Sequence, residues 1–94
     1  PEDEATKRRY VTASLMAGRF ADGLKVVDEL IAMKADDEAT LALGLHALYE
    51  SFTKHRPIES EDQDRARMVR LADAYRARGG PSQALVDSWV AAQA

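Results

Sequence analysis

The chain has 94 residues, of which 46% are hydrophobic and 31% charged, and its formal net charge is −3. This composition is typical of one small folded domain and excludes a disordered tail, and the acidic balance lacks the electrostatic footprint of a general nucleic-acid binder. The absence of cysteine excludes a disulfide framework, a thiolate nucleophile and a cysteine-based zinc site.

The first third of the chain predicts two helices. Acidic residues at positions 2–4 favour a helix start and Gly18 favours a stop, so the first helix is expected over about Glu4–Ala17. The second helix carries apolar residues from Leu24 to Met33 on an arc about half its circumference wide. Such a wide arc predicts packing against two neighbouring helices.

The third helix has the clearest pattern in the chain. Asp36 or Asp37 is its expected N-cap, and large apolar residues then repeat at intervals of four, three and four residues. These residues are Leu41, Leu45, Leu48 and Phe52. Beside them Gly44, Ala47 and Ser51 form a groove of small residues, which predicts the close approach of another helix and would explain a glycine that costs about 1 kcal/mol inside a helix.

A loop over His55–Glu59 separates this helix from two more. Ser60 stands three residues before Gln63 in a capping-box arrangement, which begins a fourth helix that ends at Gly79. Pro81 is expected in the first turn of a fifth helix. The expected buried faces are Met68, Leu71, Ala72 and Tyr75 on the fourth helix, and Leu85, Val86, Trp89 and Val90 on the fifth.

The predicted fold class is therefore all-α, with about five antiparallel helices that form either an array of helical hairpins or a compact helical bundle. Because the sequence opens on Pro1 rather than Met and closes on AAQA, we expect residues 1–94 to be a single helical domain of a larger protein. No apolar run approaches the length of a bilayer span, so no membrane association is expected.

No grouping of residues predicts catalysis. His46 and Glu50 lie one helical turn apart, as two metal ligands could, but further ligands and an HExxH pattern are missing. The serines lack a GxSxG motif, and the glycines at 79–80 lack the rest of a phosphate loop. We therefore expect no enzymatic activity, no cofactor and no metal site. The arginines between residues 65 and 78 indicate a solvated helix face, because no aromatic residues alternate with them.

From Met68 onward the spacing resembles a tetratricopeptide repeat, in which small residues let two antiparallel helices touch and a glycine closes the turn. The matching residues are Ala72, Tyr75, Gly79, Ala84 and Ala91. A second, weaker match comprises Tyr10, Gly18, Phe20, Gly23, Val27 and Leu30. This unit departs from the family pattern at Val11, where a small residue is preferred, and at Ala35, where proline is usual. The third helix lies between the two units.

The resemblance implies a non-catalytic protein–protein interaction module, a scaffold whose groove is lined by outward positions of the first helix of each unit. These positions are Arg8, Thr12, Leu15 and Met16 in the weaker unit, and Val69, Asp73 and Arg76 in the better one. The lysine and asparagine pattern with which the family grips a terminal carboxylate is absent. The expected partner is therefore a protein, a peptide or another domain, without a carboxylate tail as its anchor.

The last helix suggests an additional contact. Trp89 lies near its end, and if no later helix covers this side, Trp89, Val86 and Val90 are expected to form an exposed patch that binds the next helix, a partner or a second copy. A structural or oligomerisation domain, such as a homodimer joined through helices two, three or five, is therefore the alternative to an interaction module. Nucleic-acid binding through the arginines is the third and least favoured hypothesis.

Overall fold

The computed structural model of the protein describes residues 3–93, and this range contains five α-helices and no strand. The helices are α1 (Glu4–Met16), α2 (Phe20–Ala32), α3 (Glu38–Thr53), α4 (Glu61–Ala77) and α5 (Gln83–Ala92). The predicted all-α fold is confirmed. None of the helices in the described range is long and apolar enough to cross a membrane.

Side-chain caps begin three of the helices. The carboxylate of Asp3 accepts a hydrogen bond from the Thr6 amide at the start of α1, and that of Asp37 accepts one from the Thr40 amide, at 2.8 Å, at the start of α3. Ser60 Oγ accepts from the Gln63 amide at 3.1 Å at the start of α4, as its spacing predicts. Asp37 is therefore the N-cap of α3, and Asp36 has a different role.

The first four helices all end in the same hydrogen-bonded turn, in which one residue takes a positive φ and the next amide bonds back five residues. Gly18 and Gly79 occupy the positive-φ position after α1 and α4, where glycine carries no steric penalty. Lys34 and His55 occupy it after α2 and α3, at φ values of 58° and 53°. Since neither position is a glycine, the sequence gives no glycine-based prediction of these two helix ends.

Two antiparallel hairpins and a fifth helix build the molecule. In the first hairpin Gly23 of α2 lies against α1, since a Cβ at this position would stand 2.7 Å from Cδ2 of Leu15. The second hairpin pairs α3 with α4, and α5 packs back on α4. Between the hairpins α3 contacts both α1 and α2, so it is the central helix of the fold.

Alternate helices also lie beside one another. A groove lined by residues of both helices, including Thr12 and Thr40, shows that α1 and α3 run side by side. Asp28 of α2 pairs with Arg67 of α4, and the ring of Tyr49 on α3 stacks on that of Trp89. Helices α1, α3 and α5 thus form one layer, and α2 and α4 form the other.

The small-residue flank of α3 is buried, as predicted, and it lies where three helices meet. A Cβ on Gly44 would stand 2.8 Å from Cδ2 of Leu71 and 3.2 Å from Cδ2 of Leu24. The neighbours that approach are therefore leucine side chains from α2 and α4. The core around this point consists of Val11, Leu24, Val27, Leu30, Leu41, Leu45, Leu48, Met68 and Leu71.

The turn before α5 differs from the prediction. Pro81 precedes the helix, whose N-cap is Ser82, because the α4 end continues through Gly79 and Gly80 before the chain can reverse. The ring of Tyr75 lies against Gly80, and its hydroxyl accepts a hydrogen bond from the Ser82 amide at 3.0 Å. Tyr75 therefore ties the start of α5 to the body of α4.

We expect Gly80→Ala to lower the free energy of unfolding by about 2 kcal/mol, because the new methyl group would overlap the Tyr75 ring and force it to move. Urea unfolding followed by the fluorescence of Trp89, the single tryptophan, measures the change. Tyr75→Phe removes only the hydroxyl and is expected to cost about 1 kcal/mol. Wild-type stability of Gly80→Ala would contradict this account of the turn.

Candidate interaction surface

The two groups of predicted groove residues lie on different parts of the molecule. The first group is on α1 and the second on α4, and α1 makes no substantial contact with α4 within residues 3–93. Since the helices belong to opposite layers, the two groups do not form one groove.

On α1 only half of the predicted group is available to a partner. Leu15 is a core residue, 8% exposed, so its predicted place on the groove surface is wrong. Arg8 is half-buried, and its guanidinium donates to the Ala35 carbonyl at 2.9 Å. Thr12 and Met16 are exposed, with 79% of Met16 accessible to solvent.

On α4 the predicted residues face solvent, but one of them is engaged. Val69 is 43% exposed and Asp73 is also on the surface. Arg76 pairs with Asp73 at 3.2 Å and with Asp87 of α5 at 2.7 Å. Arg76 therefore links α4 to α5 across the outside of their contact.

The patch predicted around Trp89 is not exposed as expected. Val86 is buried, at 3% exposure, and Trp89 and Val90 are half-buried. The indole stacks on Tyr49 with ring centres 4.6 Å apart and meets the His46 ring edge-on at 6.2 Å. Helix α3 covers Trp89 because α5 folds back over the second hairpin. The exposed large apolar residue on α5 is Leu85, at 51%, which the prediction placed on the buried side.

The layer of α1, α3 and α5 carries exposed and half-buried side chains on each of its three helices. On α3, Leu43 and His46 are three residues apart and therefore lie on the same side of the helix. Leu43 is half-buried and His46 is exposed, so no other helix covers this side completely. We name this surface the three-helix face and define it by six residues. They are Thr12 and Met16 of α1, Leu43 and His46 of α3, and Leu85 and Trp89 of α5.

The α1 and α3 parts of this face meet at a shallow groove of about 450 Å³, lined by Arg8, Arg9, Thr12, Ala13, Asp37 and Thr40. Because Arg8 lies beside Asp37 and Thr12 beside Thr40, the two helices run in the same direction. Met16, one turn after Thr12, is therefore level with Leu43. The position of His46 away from the leucine stripe of α3 predicts a solvated side chain, and the structure leaves His46 exposed.

The arginines of α4 are more than a solvated face. Arg67, whose side chain is only 12% exposed, holds Asp28 of α2 at 2.9 Å. Arg65 donates from Nε to the Gln93 carbonyl at 2.6 Å, which anchors the end of α5. Arg70 also approaches Asp28, at 3.6 Å, and Arg78 pairs with Asp36. These guanidinium groups serve contacts within the chain, so binding to phosphates would compete with these ion pairs.

The pair of His46 and Glu50 does not form the beginning of a metal centre. Glu50 binds Lys54 at 2.6 Å, and the hydrogen bond from Lys54 lowers the pKa of the Glu50 carboxyl below its ordinary value of 4.5. His46 instead contacts Trp89. Among residues 3–93, no group of three or more His, Cys, Asp or Glu residues is placed to hold a metal ion.

No known protein family, curated protein or solved structure matches this chain.

Among the ion pairs of the described residues, Asp36 has the least exposed carboxylate. Its side chain is 8% exposed and lies 2.9 Å from Arg78, whose hydrogen bonds lower the pKa of the Asp36 carboxyl below its ordinary value of 3.8. Because the pKa is lower in the folded state, the pair stabilises the fold in full above pH 3.8. This contribution is lost as the pH falls below that value and through the folded-state pKa.

We expect Asp36→Asn to lower the free energy of unfolding by about 1 kcal/mol at neutral pH, because it weakens the hydrogen bonds with Arg78. The difference from the wild type should shrink as the pH falls below 3.8 in urea titrations. Asp22→Asn changes an exposed carboxylate without an ion pair in the described range, and it should alter stability by less than about 0.5 kcal/mol. A pH-independent difference for Asp36→Asn would contradict the proposed linkage.

Proposed function

We propose that the protein is a non-catalytic, tetratricopeptide-like interaction module whose partner lies across the three-helix face. The observation that carries this proposal is the arrangement of alternate helices, in which α1 lies beside α3 and Trp89 of α5 stacks on Tyr49 of α3. Such an arrangement produces an extended surface made from several helices, the kind of surface with which helical repeats bind proteins. The partner is a protein or peptide segment.

The packing order supports an array more than a closed bundle. Each helix packs on the one before it, and α1 makes no substantial contact with α5 in the described part of the chain. The register differs from the sequence-based match, because α4 packs on α3 as well as on α5. In the proposed array α3 and α4 form the second hairpin, and α5 takes the position of the first helix of a third.

The composition of the three-helix face fits a protein partner. Met16 and Leu85 are large apolar side chains that are mostly exposed, and Trp89 offers part of its ring. Aromatic residues and methionine are enriched at protein interfaces, while exposed apolar side chains gain free energy when a partner covers them. His46 and Thr12 provide hydrogen-bonding groups beside these residues.

Peptides selected from a random-sequence library against the 94-residue chain test this proposal. We expect their binding to weaken about tenfold or more in Thr12→Glu/Met16→Glu, because the two carboxylates would be buried beneath the peptide. Gln63→Glu/Ala66→Glu is the matched control, since it adds the same charge at exposed positions of α4 in the other layer. NMR shift mapping locates the bound peptide. Binding that is centred on α2 or α4, or equal loss in both variants, would reject the three-helix face.

Oligomerisation is the second candidate, and one feature of α5 favours it. Apart from Asp87, its exposed residues are all uncharged, namely Ala84, Leu85, Ser88, Ala91 and Ala92. The one charged residue of the helix, Asp87, is bound by Arg76 and Gln83. A two-fold contact through this side would therefore place no like charges against each other.

For this candidate we expect sedimentation velocity to show a mass that rises with protein concentration. Leu85→Glu should abolish the rise, because each interface would bury two unpaired carboxylates. Met16→Glu is the control, since it makes the same kind of change on an exposed residue of α1. A constant monomer mass would reject oligomerisation and leave the interaction module as the proposal.

A further inference from the structure

A cleft of about 550 Å³ lies at the end of the molecule where the α1–α2 turn meets the end of α3. One wall is formed by Gly18–Asp22 and the other by Arg56–Ile58, with Glu50, Ser51 and Lys54 between them. The cleft exists because α3 ends in a turn at His55 that directs the following loop past the start of α2. It lies outside the three-helix face as defined above.

The cleft holds two arginines that differ from the others in the described range. Arg19 and Arg56 are exposed, and their side chains have neither an ion pair nor a hydrogen bond within residues 3–93. Every other arginine side chain in that range bonds to a carboxylate, a carbonyl or a hydroxyl group, and their partners include Asp28, Asp36 and Asp87. The fold thus leaves two guanidinium groups unpaired at one site.

The remaining charges of the cleft do not cancel these two. Lys54 and Glu50 neutralise each other at 2.6 Å, and Asp22 is the one carboxylate of the lining without an ion pair among the described residues. Two unpaired cations therefore face one unpaired anion. In a chain with a net charge of −3 this is a local reversal of sign.

The lining also has an apolar part. Phe20 and Ile58 are half-buried and pack against the core, so their positions are held by the fold, and Pro57 on the second wall is exposed. These side chains provide a surface of low polarity next to the arginines. A ligand that fits both parts needs negative charge and an apolar group.

We propose that this cleft binds an acidic segment of a partner protein, with carboxylates on Arg19 and Arg56 and an apolar side chain against Phe20, Pro57 and Ile58. The planar guanidinium group matches a carboxylate through two parallel hydrogen bonds, which makes such a pair strong and directional. The apolar wall disfavours inorganic phosphate, which would leave it uncovered. A nucleic acid is a long polyanion that would extend beyond the cleft onto an acidic chain, whereas a short acidic segment contacts the cleft alone. This proposal does not depend on the three-helix face.

NMR titration of the full 94-residue chain with three synthetic peptides tests the proposal. The first peptide alternates glutamate and leucine, the second replaces glutamate with glutamine, and the third replaces leucine with serine. We expect the first peptide to bind with a dissociation constant below about 1 mM and to shift the amides at 18–22 and 50–58. The second and third peptides should bind about tenfold more weakly, because the second lacks the carboxylates and the third lacks the apolar side chains.

The variant Arg19→Gln/Arg56→Gln should weaken binding of the first peptide about tenfold or more. Its matched control is Lys25→Gln/Lys34→Gln, which removes the same charge at two exposed lysines outside the cleft. We expect the control to bind like the wild type. Thermal unfolding of both variants establishes that the fold persists.

The proposal is overturned by any of four results. These are no shift up to about 1 mM peptide, shifts centred elsewhere, equal weakening in the two variants, or tighter binding of a single-stranded oligonucleotide than of the acidic peptide. If the glutamate–serine peptide bound as tightly as the glutamate–leucine peptide, the apolar wall would play no part in binding and the proposed ligand class would be wrong. None of these outcomes bears on whether selected peptides contact the three-helix face.

Discussion

The close approach of three helices at Gly44 is the constraint on which the rest of the structure depends. Leu24 from α2 and Leu71 from α4 both press against this position, and both are fully buried. A larger side chain would have to displace packed leucines, which a dense interior resists. Because α3 is held here and also contacts α1, its position determines how the two hairpins lie relative to each other.

Ion pairs between elements surround this core and decide which charges remain for recognition. Arg67 with Asp28 and Arg78 with Asp36 connect α4 to the first half of the chain, while Lys7 with Glu29 joins α1 to α2 at 2.7 Å. Most arginines are thereby committed to the fold. The exposed charges without such a role, above all Arg19 and Arg56, are the ones through which the surface can select a partner.

The two proposed binding surfaces follow from the same architecture. Placing alternate helices side by side leaves a row of half-covered side chains along one layer, and ending α3 beside the α1–α2 turn leaves a cleft at the end of the molecule. Neither surface requires a moving part, because the residues that line them belong to helices, to turns with backbone hydrogen bonds, or to the loop before α4, where the Ile58 amide donates to the Asp64 carboxylate. A rigid surface loses little conformational entropy when it binds.

The sequence by itself determined the five helices, most of their starts and the small-residue flank of α3, because caps and apolar spacing act over a few neighbouring residues. It did not reveal that Leu15 is buried, that Leu85 is exposed, or that Asp36 binds Arg78. Those outcomes depend on which helix lies opposite, and one-dimensional spacing carries no information about partners that are distant in the chain. The fold class was thus determined by patterns among neighbouring residues, whereas the surfaces available for binding were determined by tertiary packing.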